Sequence, residues 1–138
     1  MVCPLCQPDA ERVLWRDERC RVIRVTDAQY EGYCRVIWQA HVAEMTDLSA
    51  ADRAHLMHIV FATEASLRHE FSPAKINLAS LGNMVPHLHW HVIARFTDDA
   101  HFPDAIWAGT QRTPAVQPAL SDTQLALALS ERIGLTDD

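Results

Sequence analysis

The chain of 138 residues predicts an α+β fold with a mainly antiparallel sheet. Short β-branched stretches precede one long helical stretch, and two further strand-like stretches follow it, an order typical of an antiparallel sheet covered by helices. No glycine-rich loop joins a strand to a helix, which argues against a parallel dinucleotide-binding sheet. The length fits one domain, predicted over residues 1–138, that can bury a hydrophobic core.

The individual elements follow from local sequence signals. The clearest is a helix that begins after an N-cap at Ser49, with Leu56, Ile59 and Leu67 at helical spacing, and ends near Glu70 before Ser-Pro. Alternating or β-branched stretches bounded by turn residues predict the strands. In chain order the predicted strands are 13–16, 20–25, 34–38, 75–80 and 88–96, and a second helix starts at 121 or 122 and runs to about 134. Residues 97–120 are predicted to be mainly loop.

Composition excludes several classes of function. A net charge of −6 and a pI of 5.7 argue against nucleic acid or an anionic membrane as the main partner, although a small phosphorylated ligand stays compatible. The sequence contains neither a long apolar run nor a basic-then-apolar leader, so we expect a cytoplasmic protein. The four cysteines are expected to be reduced or metal-bound, because a domain of this size needs no disulfides.

The most unusual stretch covers residues 85–95, where three histidines alternate with apolar residues. In a β-strand the side chains alternate between the two faces, so His87, His89 and His91 would share one face and the apolar residues the other. A solvated surface does not require imidazole at three successive positions. The pattern therefore indicates a core on one face and a chemical site on the other.

Two kinds of chemistry fit this row of three histidines, His87, His89 and His91. Neighbouring histidines on a strand lie about 6.6 Å apart and the outer two about 13 Å, so a three-histidine zinc site would need a ligand from another element. Alternatively, one neutral imidazole attacks a phosphorus atom while the others donate hydrogen bonds to the phosphate. The turn at Gly82 and Asn83 could bring backbone N–H groups to the same phosphate.

Residues 82–93 resemble the signature of the histidine triad (HIT) superfamily, in which three histidines alternate with apolar residues after a glycine. The resemblance extends to an N-terminal CxxC as in many bacterial members, to a strand that ends before His41, and to Asn77 in the preceding strand. It implies a five-stranded antiparallel sheet with one long helix and a C-terminal helix. It also implies hydrolysis or transfer of a nucleotidyl group at the α-phosphate of an adenylylated or dinucleoside polyphosphate-type substrate, with no cofactor needed for the chemistry.

The resemblance also assigns roles to residues. His89 is implied as the nucleophile that becomes transiently nucleotidylated, commonly with AMP. His91 is implied to contact the phosphate, and His87 to orient and polarise the row. The positions implied or expected to contact the nucleotide are Asn77, Gly82, Asn83 and Asp27, the last lying about two residues from the family's ribose-binding position.

One departure from the family pattern concerns the leaving group. Many members carry Ser or Thr where this chain has Met84, whose side chain has no hydroxyl to donate. Leaving-group preference is therefore expected to differ from that of the nucleoside phosphoramidate hydrolases of the family. Two alternatives stay open, a nucleotide-binding module with little turnover and a zinc-dependent hydrolase that uses the row as ligands.

Cys3 and Cys6 have the spacing of zinc ligands but make only half a site. By resemblance to zinc-bearing bacterial relatives, His41 and His87 would complete a structural zinc site, and two unmetallated thiols are the alternative. The same relatives are often homodimers, which we expect here. Residues 98–107 either fold over the pocket and set substrate choice or form a surface loop with Phe102 and Trp107 tucked into the core.

Overall fold

The computed structural model describes residues 2–135, so the ends of the predicted domain, Met1 and 136–138, lie outside the described residues. The predicted fold is confirmed, and the elements lie close to their predicted bounds. The strands are β1 (Arg12–Arg16), β2 (Cys20–Arg24), β3 (Tyr33–Trp38), β4 (Lys75–Ala79) and β5 (His89–Arg95), and the helices are α1 (Ala50–Phe71) and α2 (Asp122–Ile133).

The five strands form one antiparallel sheet in the order β1-β2-β3-β5-β4. The strand that carries the histidines is therefore central, between β3 and β4. Its register against β3 pairs Arg35 with His91 and Ile37 with His89. Directly paired residues point to the same face of a sheet, so these β3 side chains flank the histidines.

One face of the sheet is covered by the helices. The Ser49 side chain caps α1 by accepting a hydrogen bond from the Asp52 backbone N–H at 3.1 Å, as predicted. The apolar residues of α1 pack on the alternate, apolar positions of β3 and β5, such as Val36 and Val92, in the main core. Within residues 2–135 no helix combines the length and apolar character needed to cross a lipid bilayer.

The opposite face carries the histidines and is covered by two irregular segments. The N-terminal segment (residues 2–11) contributes Leu5, which packs on Ile23 and Ile37. The 96–120 loop contributes Ile106, which packs on a small cluster of Tyr30, Tyr33 and Ile93. The loop thus folds over the histidine face, in agreement with the first of the two interpretations made from sequence.

Candidate active site

His89 and His91 form the centre of the site. Both belong to β5 and both are buried, and their ring centroids lie 5.0 Å apart with the ring planes at 75°. His87 is different, because it precedes the first residue of β5. The strand therefore begins at the second of the three histidines, and His87 lies two residues before it.

The protonation of His89 follows from its hydrogen bond. Its Nδ1 lies 2.5 Å from the backbone carbonyl oxygen of His87. A carbonyl only accepts hydrogen bonds, so Nδ1 carries a proton, and a ring with that single proton has its lone pair on Nε2. The fold thus orients this imidazole and fixes the nitrogen that can act as a nucleophile.

His91 is held by β3 and kept neutral. Its Nδ1 lies 3.0 Å from the hydroxyl of Tyr33, and when that hydroxyl donates, the neutral ring carries its proton on Nε2. Burial, the neighbouring His89 and the positive charge of Arg35 lower the pKa of His91 to about 4. At neutral pH His91 can therefore donate one hydrogen bond to a phosphate oxygen without carrying a charge.

His87 belongs to a second cluster with the N-terminal thiols. Its Nδ1 lies 3.4 Å from the Sγ atoms of both Cys3 and Cys6 and 3.2 Å from the Nδ1 of His41, which is 3.3 Å from Cys6 Sγ. A tetrahedral zinc ion would separate such nitrogen and sulfur ligands by about 3.3–3.6 Å. The predicted four residues thus lie together with the spacing of a zinc centre.

The tautomer of His87 also suits a metal ligand. Its Nε2 lies 2.5 Å from the backbone carbonyl oxygen of Trp38, so that nitrogen carries the proton and Nδ1 presents its lone pair to the cluster. Burial lowers the pKa of His87, although the same carbonyl opposes the shift. The residue needs no proton loss to bind a cation at Nδ1.

A buried ion-pair network anchors the 96–120 loop beside the histidines. Arg95 donates to both carboxylate oxygens of Asp99 at 2.8 and 3.1 Å and to the Oδ1 of Asn77 at 2.7 Å. Asn77, predicted to contact the nucleotide, is thus positioned by Arg95 through its oxygen. Beyond this network the half-exposed Trp107 packs edge-on against His91, with ring centroids 5.0 Å apart.

The other predicted contact residues lie in turns. Asp27 accepts a hydrogen bond from the Gln29 backbone N–H at 2.9 Å within its own turn. Gly82 has a φ of 78°, which favours glycine, and the exposed Asn83 follows it. Met84 is 95% exposed, so nothing in the turn replaces the hydroxyl that the family pattern has there.

A cleft opens on the histidine face between the N-terminal segment and the sheet. Its volume is about 320 Å³, within the range of small-ligand sites. The lining combines apolar side chains such as Leu5 and Ile23 with five charged ones, and it includes none of the three histidines; the charged residues are Asp9, Glu11, Arg12, Arg24 and Arg35. Such a mixed lining suits a small molecule that has both apolar and charged parts.

The sequence assigned no role in this site to Tyr33 or Arg35, and it marked Trp107 only as the end of a segment that either covers the pocket or forms a surface loop. Tyr33 and Arg35 alternate with core residues along β3, and only the pairing of β3 with β5 shows that they face the histidines. Trp107 comes from a loop without regular structure. The strand alternation of β3 was the available signal for the first two, and no local signal placed the third against His91.

These features define an α+β domain whose central strand presents a pair of buried, hydrogen-bonded imidazoles beside a cluster of thiols and histidines. The chain belongs to the histidine triad family, because the HIT domain model matches residues 8–98. That family's fold is the fold of a superfamily of nucleotide-binding proteins and hydrolases.

Solved structures agree with this assignment. A histidine triad protein from Bradyrhizobium japonicum is 28% identical, covers 89% of this chain and 90% of its own, and gives a TM-score of 0.71. One from Sinorhizobium meliloti is 25% identical, with coverages of 88% and 89% and a TM-score of 0.71. A hypothetical histidine triad nucleotide-binding protein from Sulfolobus tokodaii shares the fold at 17% identity, with coverages of 95% and 91% and a TM-score of 0.64. No curated protein matches the chain.

Proposed function

We propose that this chain is a nucleotide hydrolase or nucleotidyl transferase that works through a covalent nucleotidyl-histidine on His89. The observation that supports this most directly is the hydrogen bond from His89 Nδ1 to the His87 carbonyl, which leaves the Nε2 lone pair available. The substrate would be an adenylylated or dinucleoside polyphosphate-type molecule, attacked at its α-phosphate.

The reaction has two steps. In the first, the Nε2 lone pair of His89 forms a bond to the α-phosphorus while the bond from phosphorus to the leaving group breaks and the leaving group takes the electron pair. In the second, water attacks the same phosphorus, the phosphorus–nitrogen bond breaks, and the electron pair returns to Nε2. The products are the free leaving group and a nucleoside monophosphate, and an acceptor other than water would make the reaction a transfer.

His91 supports both steps by stabilising charge. Its neutral ring can donate one hydrogen bond from Nε2 to a phosphate oxygen as negative charge accumulates there. Trp107, packed against the same ring, shields it from water and strengthens this hydrogen bond. Asn77 keeps its amide N–H groups for the ligand, because Arg95 binds its oxygen.

The test is intact-mass spectrometry after brief incubation with an adenosine phosphoramidate or a diadenosine polyphosphate. The wild type should gain the mass of one adenylyl group and release AMP, and His89→Ala should do neither. His69→Ala, which removes an exposed imidazole on α1, is the matched control and should behave as the wild type. An intermediate that forms equally well in His89→Ala would refute the mechanism.

The exposed Met84 motivates a second candidate, a nucleotide-binding module with little turnover. Its side chain cannot protonate or hydrogen bond a leaving group, so departure of a poor leaving group would receive no help from this residue. This candidate would be favoured over the enzyme if calorimetry shows that AMP binds while neither an adenosine phosphoramidate nor a diadenosine polyphosphate gives product.

We also propose a structural zinc ion held by Cys3, Cys6, His41 and His87. The support is the set of ligand distances and the His87 tautomer described above. Zinc would join the N-terminal segment to the sheet and leave His89 free for chemistry. A zinc hydrolase that uses the whole row is less favoured, since only His87 of the three histidines lies in a metal-type cluster within residues 2–135.

Metal analysis of the purified protein tests this proposal. The wild type and His89→Ala should each carry one zinc per chain, and Cys6→Ser should lose the zinc and melt at a lower temperature. A wild-type protein without zinc, whose stability a chelator leaves unchanged, would eliminate the site. Zinc retained by Cys6→Ser but lost from His89→Ala would instead favour the zinc hydrolase.

A homodimer is the assembly we propose, with a nucleotide as the small-molecule partner. In the described part of the chain β4 has a strand neighbour on one side only, so its other edge offers backbone groups for pairing. Light scattering coupled to size exclusion should give twice the chain mass, and a monomer at micromolar concentration would count against the dimer.

A further inference from the structure

Arg35 carries a charge that its surroundings do not balance. It lies half-buried in the middle of β3, with its Nε shielded from solvent and without a hydrogen-bond partner within residues 2–135. The ring of Tyr33, whose centroid is 5.7 Å from the guanidinium carbon, is an aromatic contact and supplies no negative charge. A partly desolvated cation in this position costs free energy unless an anion is nearby.

Other arginines of the same sheet are treated differently. Arg21 pairs with Glu11 at 2.8 Å, Arg24 with Asp122 at 3.0 Å, and Arg95 with Asp99 at 2.8 Å. Each of these buried side chains also donates to a backbone carbonyl. The fold therefore supplies carboxylates for arginines that act structurally. Within residues 2–135 Arg35 forms no such ion pair, which indicates that its charge serves a ligand from outside the chain.

The position of Arg35 indicates which ligand it would bind. It is the direct cross-strand neighbour of His91, and its side chain lines the 320 Å³ cleft. We propose that Arg35 binds the phosphoryl group of the nucleotide, holding the anion between His91 and the cleft that receives the nucleoside. This inference rests on the proposed function and adds a residue and a ligand requirement to it.

The proposal has a consequence for substrate recognition. Hydrogen bonds between arginine and a phosphoryl oxygen are charge-assisted, and they are stronger in a site with little water. Binding should therefore depend on the phosphate much more than on the nucleoside. AMP should bind at least tenfold more tightly than adenosine, and most of that difference should come from Arg35.

The experiment measures the affinities of AMP and adenosine by calorimetry in four proteins: the wild type, Arg35→Gln, Arg35→Lys and, as a matched control, Arg53→Gln on the exposed side of α1. Arg35→Gln should weaken AMP binding at least tenfold and leave adenosine binding unchanged, Arg35→Lys should restore part of the loss, and Arg53→Gln should match the wild type. Equal losses for AMP and adenosine, or no loss for AMP, would overturn the proposal.

This result is separable from the proposed function. If AMP binding depends on Arg35 but no adenylyl intermediate forms on His89, the phosphate site stands and the enzyme proposal fails. If the wild type does not bind AMP, inorganic phosphate becomes the probe and the ring resonances of His91 are followed by NMR. A phosphate-induced shift that Arg35→Gln abolishes supports the site, and the absence of such a shift in the wild type refutes it.

Discussion

Removing the carboxylate of Asp99 should strongly destabilise the protein, because it breaks a buried ion pair in the 96–120 loop. Asp99 and Arg95 are 0% and 2% exposed, so their ion pair is not screened by solvent. The same carboxylate accepts hydrogen bonds from the backbone N–H groups of Phe96, His101 and Phe102. Breaking a buried pair costs about 3–5 kcal/mol, because the remaining charge stays buried without a partner.

Urea denaturation followed by circular dichroism measures this cost. Asp99→Asn keeps one acceptor oxygen, so we expect the free energy of unfolding to fall by about 3 kcal/mol. With an m-value of about 1–3 kcal/mol/M for a small protein, this loss lowers the urea midpoint by about 1–3 M. Asp99→Ala should shift it further. Asp98→Asn is the matched control, since Asp98 is exposed and adjacent. A shift for Asp99→Asn no larger than that of the control would refute the reasoning.

Three further predictions concern the site and its pH dependence. Tyr33→Phe should lower kcat/KM about tenfold in a steady-state assay with little change in melting temperature, because it removes the 3.0 Å hydrogen bond to His91. The pKa of His91 is lowered to about 4 in the folded chain, below the value of about 6.5 in the unfolded chain. The contribution of His91 to the free energy of unfolding should therefore be complete above pH 6.5 and decrease as the pH falls toward 4. An NMR titration that gives a normal His91 pKa would contradict this. Trp107→Ala should raise KM while the urea midpoint barely moves, since that side chain is 52% exposed.

The sequence predicted the elements because their signals are local. The Ser49 cap, the apolar spacing along α1 and the β-branched strands act over a few residues, and each agrees with the final packing. The histidine alternation likewise predicted the orientation of His89 and His91, because neighbouring strand residues point to opposite faces whatever surrounds them.

The remaining site features depend on long-range contacts. His87 contacts the thiols of Cys3 and Cys6, which lie at the other end of the sequence. Arg35 faces the histidines only through the register of β3 against β5. Trp107 reaches His91 only because Arg95 and its carboxylate partner fix the loop. No local pattern encodes such contacts.

The N-terminal segment connects the thiol cluster to the cleft. Leu5 lies between Cys3 and Cys6, packs on Ile23, and accepts a hydrogen bond through its carbonyl from Arg21 at 2.8 Å. One stretch of chain thus ends at the proposed metal and forms a wall of the proposed nucleotide site. Coupling between two such sites is reciprocal, so any factor by which zinc changes nucleotide affinity must equal the factor by which the nucleotide changes zinc affinity.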